Sequence, residues 1–141
     1  MNETNLDALT MEQVRAMDDH TLRRLVAGML GWRIEHETHE FAGMILYRES
    51  FIVRPDGSKC KAYVIDEYHE QELVCVIPDW PDSLDDAVSL LVGQRMELQS
   101  SGADWAARVG YWPGADGWQR ADTPARAVTL AWVAWKLEQG R

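Results

Sequence analysis

Residues 123–139 read TPARAVTLAWVAWKLEQ and are followed by Gly140. Thr123 can accept a hydrogen bond from the free backbone N–H groups that open a helix. Pro124 suits the first helical position, where its missing N–H has no partner to lose. Gly140 supplies a stop. Together they predict a helix from Pro124 to about Gln139. Its middle, AVTLAWVAW (127–135), is apolar on every side. Such a helix is either central to a core or covered on a second face by another chain. With Val128, Trp132 and Trp135 filling one side, Leu130, Val133 and Leu137 remain, and an exposed patch of that size is costly. A homodimer or higher even oligomer is the expectation.

Upstream, residues 99–122 hold Trp105, Val109, Tyr111, Trp112 and Trp118 around Pro113-Gly114, which predicts one or two short strands about a turn. Residues 83–98 predict a helix. Ser83 with Asp86 resembles a capping box, and Leu84, Ala87, Val88, Leu91 and Met96 form the apolar stripe. Residues 32–77 predict a meander of three or four antiparallel strands. They lie near Trp32–Ile34, over Met44–Val53, at Cys60–Ile65 and at Glu72–Ile77, with a turn at Pro55-Asp56-Gly57. Met11 to Leu30 repeats apolar residues every three or four positions. It predicts a helix broken near Asp18-Asp19 and stopped by Gly31. Residues 1–10 read as a polar lead-in, and 11–141 as one domain.

The 141 residues, 46% hydrophobic and 26% charged, suffice for a core without metal or disulfides. A net charge of −9 argues against direct binding of nucleic acid, which needs a basic face. No apolar run approaches the roughly 20 residues of a membrane span, and MNETNLDALTMEQ (1–13) has no apolar stretch of a signal peptide. A cytoplasmic protein with reduced thiols at Cys60 and Cys75 is expected, both as small buried side chains. His36-Glu37-Thr38-His39-Glu40 fails the zinc-protease spacing, which requires two residues between the Glu and the second His. It predicts a solvated polar turn, with His69 adding no prescribed ligand, and no metal is expected. Asp79, Asp82, Asp85 and Asp86 read as favourable charge at a helix start.

Three segments carry a resemblance: LVAGMLGW (25–32), IPDWPDSLDDAVSLL (77–91) and RADTPARAVTLAWVAWKL (120–137). In this order and spacing they are similar to the phage ABA-sandwich domain family, small proteins of phages and prophages. Two features depart from that family. Pro78 is followed by Asp79-Trp80-Pro81-Asp82-Ser83 where the family favours Pro-x-Tyr-Ser-Thr-Asp. Trp132 and Trp135 stand where its closing helix often has a Cys-containing run of small residues. The resemblance implies an α/β protein of the α+β type, a mainly antiparallel sheet between helices as an α-β-α sandwich. It also implies a phage protein working in the bacterial cytoplasm. It carries over no catalytic residue.

Seven tryptophans in this length are many, because a buried indole N–H needs a partner. The segment 105–120 sets Trp105, Trp112 and Trp118 beside Arg108 and Arg120, among Gly110, Gly114 and Gly117. An indole can stack on a base and an arginine can grip phosphate through its fork. The expected ligand-binding residues are Arg95, Trp105, Arg108, Trp112 and Arg120, with no catalytic residue and no cofactor. The expected function is an anti-defence binding protein that sequesters a cyclic or other small nucleotide signal without turning it over. Two alternatives are an acidic inhibitor that blocks a host defence protein and a hydrolase of such signals. The competing account of the tryptophans is ordinary core packing.

Overall fold

A helix that ends at a glycine leads directly into the first sheet. The computed structural model describes residues 8–62, 77–110 and 117–139, and of residues 47, 48, 50, 61, 62 and 101 the backbone alone. Among them are four helices and two antiparallel three-stranded sheets, a mixed α/β fold of the class the sequence predicts. The chain forms two compact units, one of Arg24–Ile77 and one of Glu3–Arg23 with Pro78–Arg141. Helices α1 (Met11–Arg15) and α2 (Asp19–Leu30) open the chain, and α2 runs through the division.

In the first unit α2 stops where Gly31 takes φ +96°. The Trp32 N–H donates to Ala27 O and the Gly31 N–H to Gly28 O, so the last carbonyls are satisfied. Strands β1 (Arg33–Phe41), β2 (Met44–Val53) and β3 (Lys59–Ala62) follow in spatial order. Ala42 and Gly43 both have positive φ, the conformation a two-residue hairpin needs to match strand twist. The expected turn at Pro55-Asp56-Gly57 is present, with the Arg54 N–H on Ser58 O and the Ser58 N–H on the Asp56 carboxylate.

Residues His36–Glu40, expected as a polar turn, are strand instead. They pair with β2 across a bulge between His39 and Glu40. A charged stretch can take strand form here because β1 has no fully buried residue and its charges stay in water. Glu35 bonds both Arg33 (3.0 Å) and Lys59 (2.9 Å). The Lys59 ammonium holds the Glu35 carboxyl below the usual carboxylate range, and is itself raised by it. Ile52 and Val53 are buried at the base, whereas Phe41, Met44, Ile45 and Leu46 at the tip are 59–72% exposed. Cys60 is half-buried. Cys75 and residues 72–76 of the expected fourth strand lie outside the described residues.

The second unit begins with a capping box on α1, Thr10 and Gln13 each accepting from the other's backbone N–H. Helix α3 (Leu84–Ser89) is capped by Ser83, and the Asp86 carboxylate accepts the Asp79 N–H at 2.8 Å. The helix expected over 83–98 is therefore much shorter. Leu90 caps it, and Gly93 turns the chain at φ +73°. Residues 96–101 form β4 (Met96–Ser101), hairpinned to β5 (Asp104–Val109), which pairs with β6 (Gln119–Ala121). Met96, Glu97, Leu98 and Gln99 all favour helix locally, and pairing with β5 overrides that preference.

Helix α4 (Pro124–Gln139) has the predicted bounds, with the Arg126 N–H on Thr123 Oγ1. It packs on β5, β6, α3 and α1. Leu130, Val133 and Leu137 are buried inside the chain, so the spare face on which an oligomer was expected is already covered. Arg126 ties three helices. Its guanidinium bonds Asp19 of α2 (2.6 Å), Arg15 O at the end of α1 (3.3 Å) and Met17 O. No described helix is long and apolar enough to cross a membrane.

Candidate functional site

The register of the second sheet decides which expected binding residues can meet. Side chains along a strand alternate between faces. Trp105, Ala107 and Val109 of β5 share one face with Ser100 of β4 and with Gln119 and Ala121 of β6, their directly paired neighbours. Ala107, Val109 and Gln119 are buried there, and Gln119 accepts from the Arg15 guanidinium at 3.0 Å. The opposite face carries Asp104, Ala106 and Arg108, with Glu97 opposite Arg108 and Arg120 opposite Ala106.

Arg108 and Arg120 therefore share a face, offset by two residues in register on adjacent strands, and Trp105 lies on the other. Arg95 precedes β4 instead of ending a helix. Its carbonyl accepts the Gly110 N–H at 2.7 Å, which fixes its backbone beside the end of β5. Gly110 sits at φ +75°, a conformation that favours glycine. Trp112 lies outside the described residues.

Two neighbours complete the cluster. The Arg108 guanidinium lies over the Trp118 ring, 4.7 Å from its centroid. One of its terminal nitrogens, Nη2, donates to Glu97 Oε1 at 2.7 Å. A guanidinium is weakly hydrated and planar, so it can rest on an indole face while its edge keeps donating. The Arg108 Nε is buried and has no hydrogen-bond partner among the described residues. Arg120 is exposed and has no hydrogen-bond or ion-pair partner among the described residues. Arg108 is thus an oriented donor with an unused edge, and Arg120 is an available cation. Ala106, with only a methyl group, sits beside Arg120 on this face. Asp104 and Glu97 supply the opposing charge, and Glu97 is already engaged with Arg108.

Glu97 is not singled out in the sequence, and Trp118 is named there in the aromatic segment but not among the expected binding residues. With 83–98 read as helix, nothing placed Glu97 across from Arg108. The signal available was Gly93, a glycine inside the stretch read as helix, which turns the chain between the end of α3 and β4. Elsewhere, His39 Nε2 lies 3.2 Å from Glu49 Oε1. His36, an odd number of residues away, projects from the other face of β1. Among the described residues no group of three or more His, Cys, Asp or Glu could hold a metal ion. Comparison with protein-family models, with curated proteins and with solved structures finds no match for this chain.

Proposed function

We propose that the chain is a non-enzymatic binding protein that takes a small nucleotide-like anion on the Arg108–Arg120 face of the second sheet. One observation carries this reading: the Arg108 guanidinium, oriented on Trp118, shares a sheet face with Arg120, which is exposed and has no hydrogen-bond or ion-pair partner among the described residues. A base stacked on an aromatic ring contributes roughly 1–3 kcal/mol. A charged hydrogen bond to phosphate adds about 1.5–3 kcal/mol. Two such bonds and one stack total about 4–9 kcal/mol, which after several kcal/mol of lost ligand freedom leaves at most about 5 kcal/mol, an affinity of roughly 0.1–1 mM. Trp118 replaces Trp105 as the aromatic ring of this face, with one side of the ring already under Arg108, and Arg95 stays a neighbour through its backbone. The likeness to small phage proteins supports an immune signal nucleotide as cargo, sequestered in the bacterial cytoplasm.

The test is calorimetry with a panel of linear and cyclic nucleotides. Arg120→Ala should weaken binding at least tenfold with an unchanged melting temperature. If no nucleotide in the panel binds the wild type, the reading fails. A second reading, an acidic protein that blocks a protein partner, is favoured by the four exposed apolar side chains at the β1–β2 tip. It takes over on that result.

A further inference from the structure

We infer that Glu97 is an internal stand-in for the ligand's anionic group, occupying the Arg108 donor that a phosphate takes when it binds. The inference rests on the binding reading above and concerns the same face. Arginine Nε–H and the Nη2–H on the same side form a parallel fork matched to two oxygens of one phosphate or carboxylate group. Here the fork is half used. Glu97 Oε1 holds Nη2 at 2.7 Å, while the buried Nε has no acceptor among the described residues. The missing acceptor is therefore at the position where a second ligand oxygen would lie.

The surroundings suit exchange of one anion for another. The Trp118 ring fixes the plane of the guanidinium, so the fork stays oriented when Glu97 leaves. The Glu97 side chain is 52% exposed and that of Arg108 27% exposed. The carboxylate can therefore swing into water while the guanidinium stays partly sheltered. A phosphate that replaces it satisfies both donors and draws on Arg120 on the neighbouring strand. In the free protein the carboxylate screens Arg108 from weaker anions. Selectivity then favours ligands that offer two oxygens and charge beyond −1, the class of terminal phosphate monoesters. The competing account is a plain cross-strand ion pair that supports the hairpin and does nothing else.

Calorimetry with adenosine monophosphate separates the two accounts, using wild type, Glu97→Gln, Arg108→Ala and the double variant. Glu97→Gln should bind about tenfold tighter than wild type, with a melting temperature nearly unchanged. In the Arg108→Ala background the same substitution should give no gain, because the contested donor is gone. A gain that persists there reports general charge repulsion and overturns the inference. So does wild-type binding that Glu97→Gln leaves unchanged or weaker, and in that case the binding reading itself stands. If neither wild type nor Glu97→Gln binds adenosine monophosphate while another nucleotide of the panel binds, this inference fails and the binding reading stands; if no nucleotide of the panel binds either protein, both fail. A second readout is the Arg108 Nε–H resonance, which should shift and exchange more slowly with solvent when adenosine monophosphate is added.

Discussion

Thr129→Val tests whether the polar seam inside the second unit holds the fold. Thr129 is fully buried in α4. Its hydroxyl lies 2.7 Å from Trp80 O and 2.8 Å from Ala125 O, and its single proton serves the two carbonyls between them. Ala125 O is also the acceptor of the helix's own i→i−4 bond, so Trp80 O is the group with most to lose. Valine keeps the volume and the β-branch and leaves no cavity. The change removes a hydrogen bond and strands a buried carbonyl, a cost of about 1–3 kcal/mol. The extra apolar methyl returns less than about 1 kcal/mol. The net loss is about 1–2 kcal/mol, which for a chain of this size lowers Tm by roughly 3–6 °C. Differential scanning calorimetry reads the shift. Urea unfolding should show a lower midpoint at an unchanged slope, since the surface exposed on unfolding is the same. A Thr129→Val protein as stable as wild type would refute the argument that this hydroxyl ties the Trp80 turn to α4.

The same reasoning extends to two backbone positions. At Gly110, with φ +75°, an added Cβ would meet Trp135 only at an ordinary 3.9 Å, so the strain lies in the backbone. Gly110→Ala should cost roughly 1–2 kcal/mol by chemical denaturation, and Gly110→Asn less. Asp18 accepts the Thr21 N–H at 2.7 Å, and that bond holds its carboxyl below the usual carboxylate range. A carboxyl with a depressed pKa stabilises the fold while ionised and loses that contribution as the pH falls through its titration. Asp18→Ala should therefore melt below wild type at pH 7, with the gap closing as the pH drops below about 4.

Local chemistry made parts of this fold legible. Gly31 ends α2 and Thr123-Pro124 opens α4 because each signal satisfies backbone groups within a few residues. Strand β4 was illegible for the opposite reason. Met96-Glu97-Leu98-Gln99 prefers helix over a short range, and what holds it in a strand is β5, eleven residues on from Glu97 at Arg108. Strand β1 is a similar case, since His36–Glu40 offers no apolar alternation and becomes a strand through its pairing with β2. The continuous apolar surface of α4 was legible as a fact and ambiguous as a consequence. A helix covered by two strands and two other helices of its own chain needs an apolar residue on nearly every side. Its composition then says nothing about a second copy.

The candidate site shows where pattern gives out and register begins. Trp105 and Arg108 are three residues apart, a spacing that brings side chains together on a helix and separates them on a strand. Once residues 104–109 are strand, that parity alone divides the expected cluster. Arg120 rejoins Arg108 because β6 pairs at Ala106, an even number of residues from Arg108. A slip of one residue in that pairing would send Arg120 to the face of Trp105 and bring the buried Gln119 to the Arg108 side. Gln119 is held against such a slip by its bond to Arg15. A contact on one face of the sheet therefore fixes which cation stands beside Arg108 on the other, and any anion site here depends on both faces.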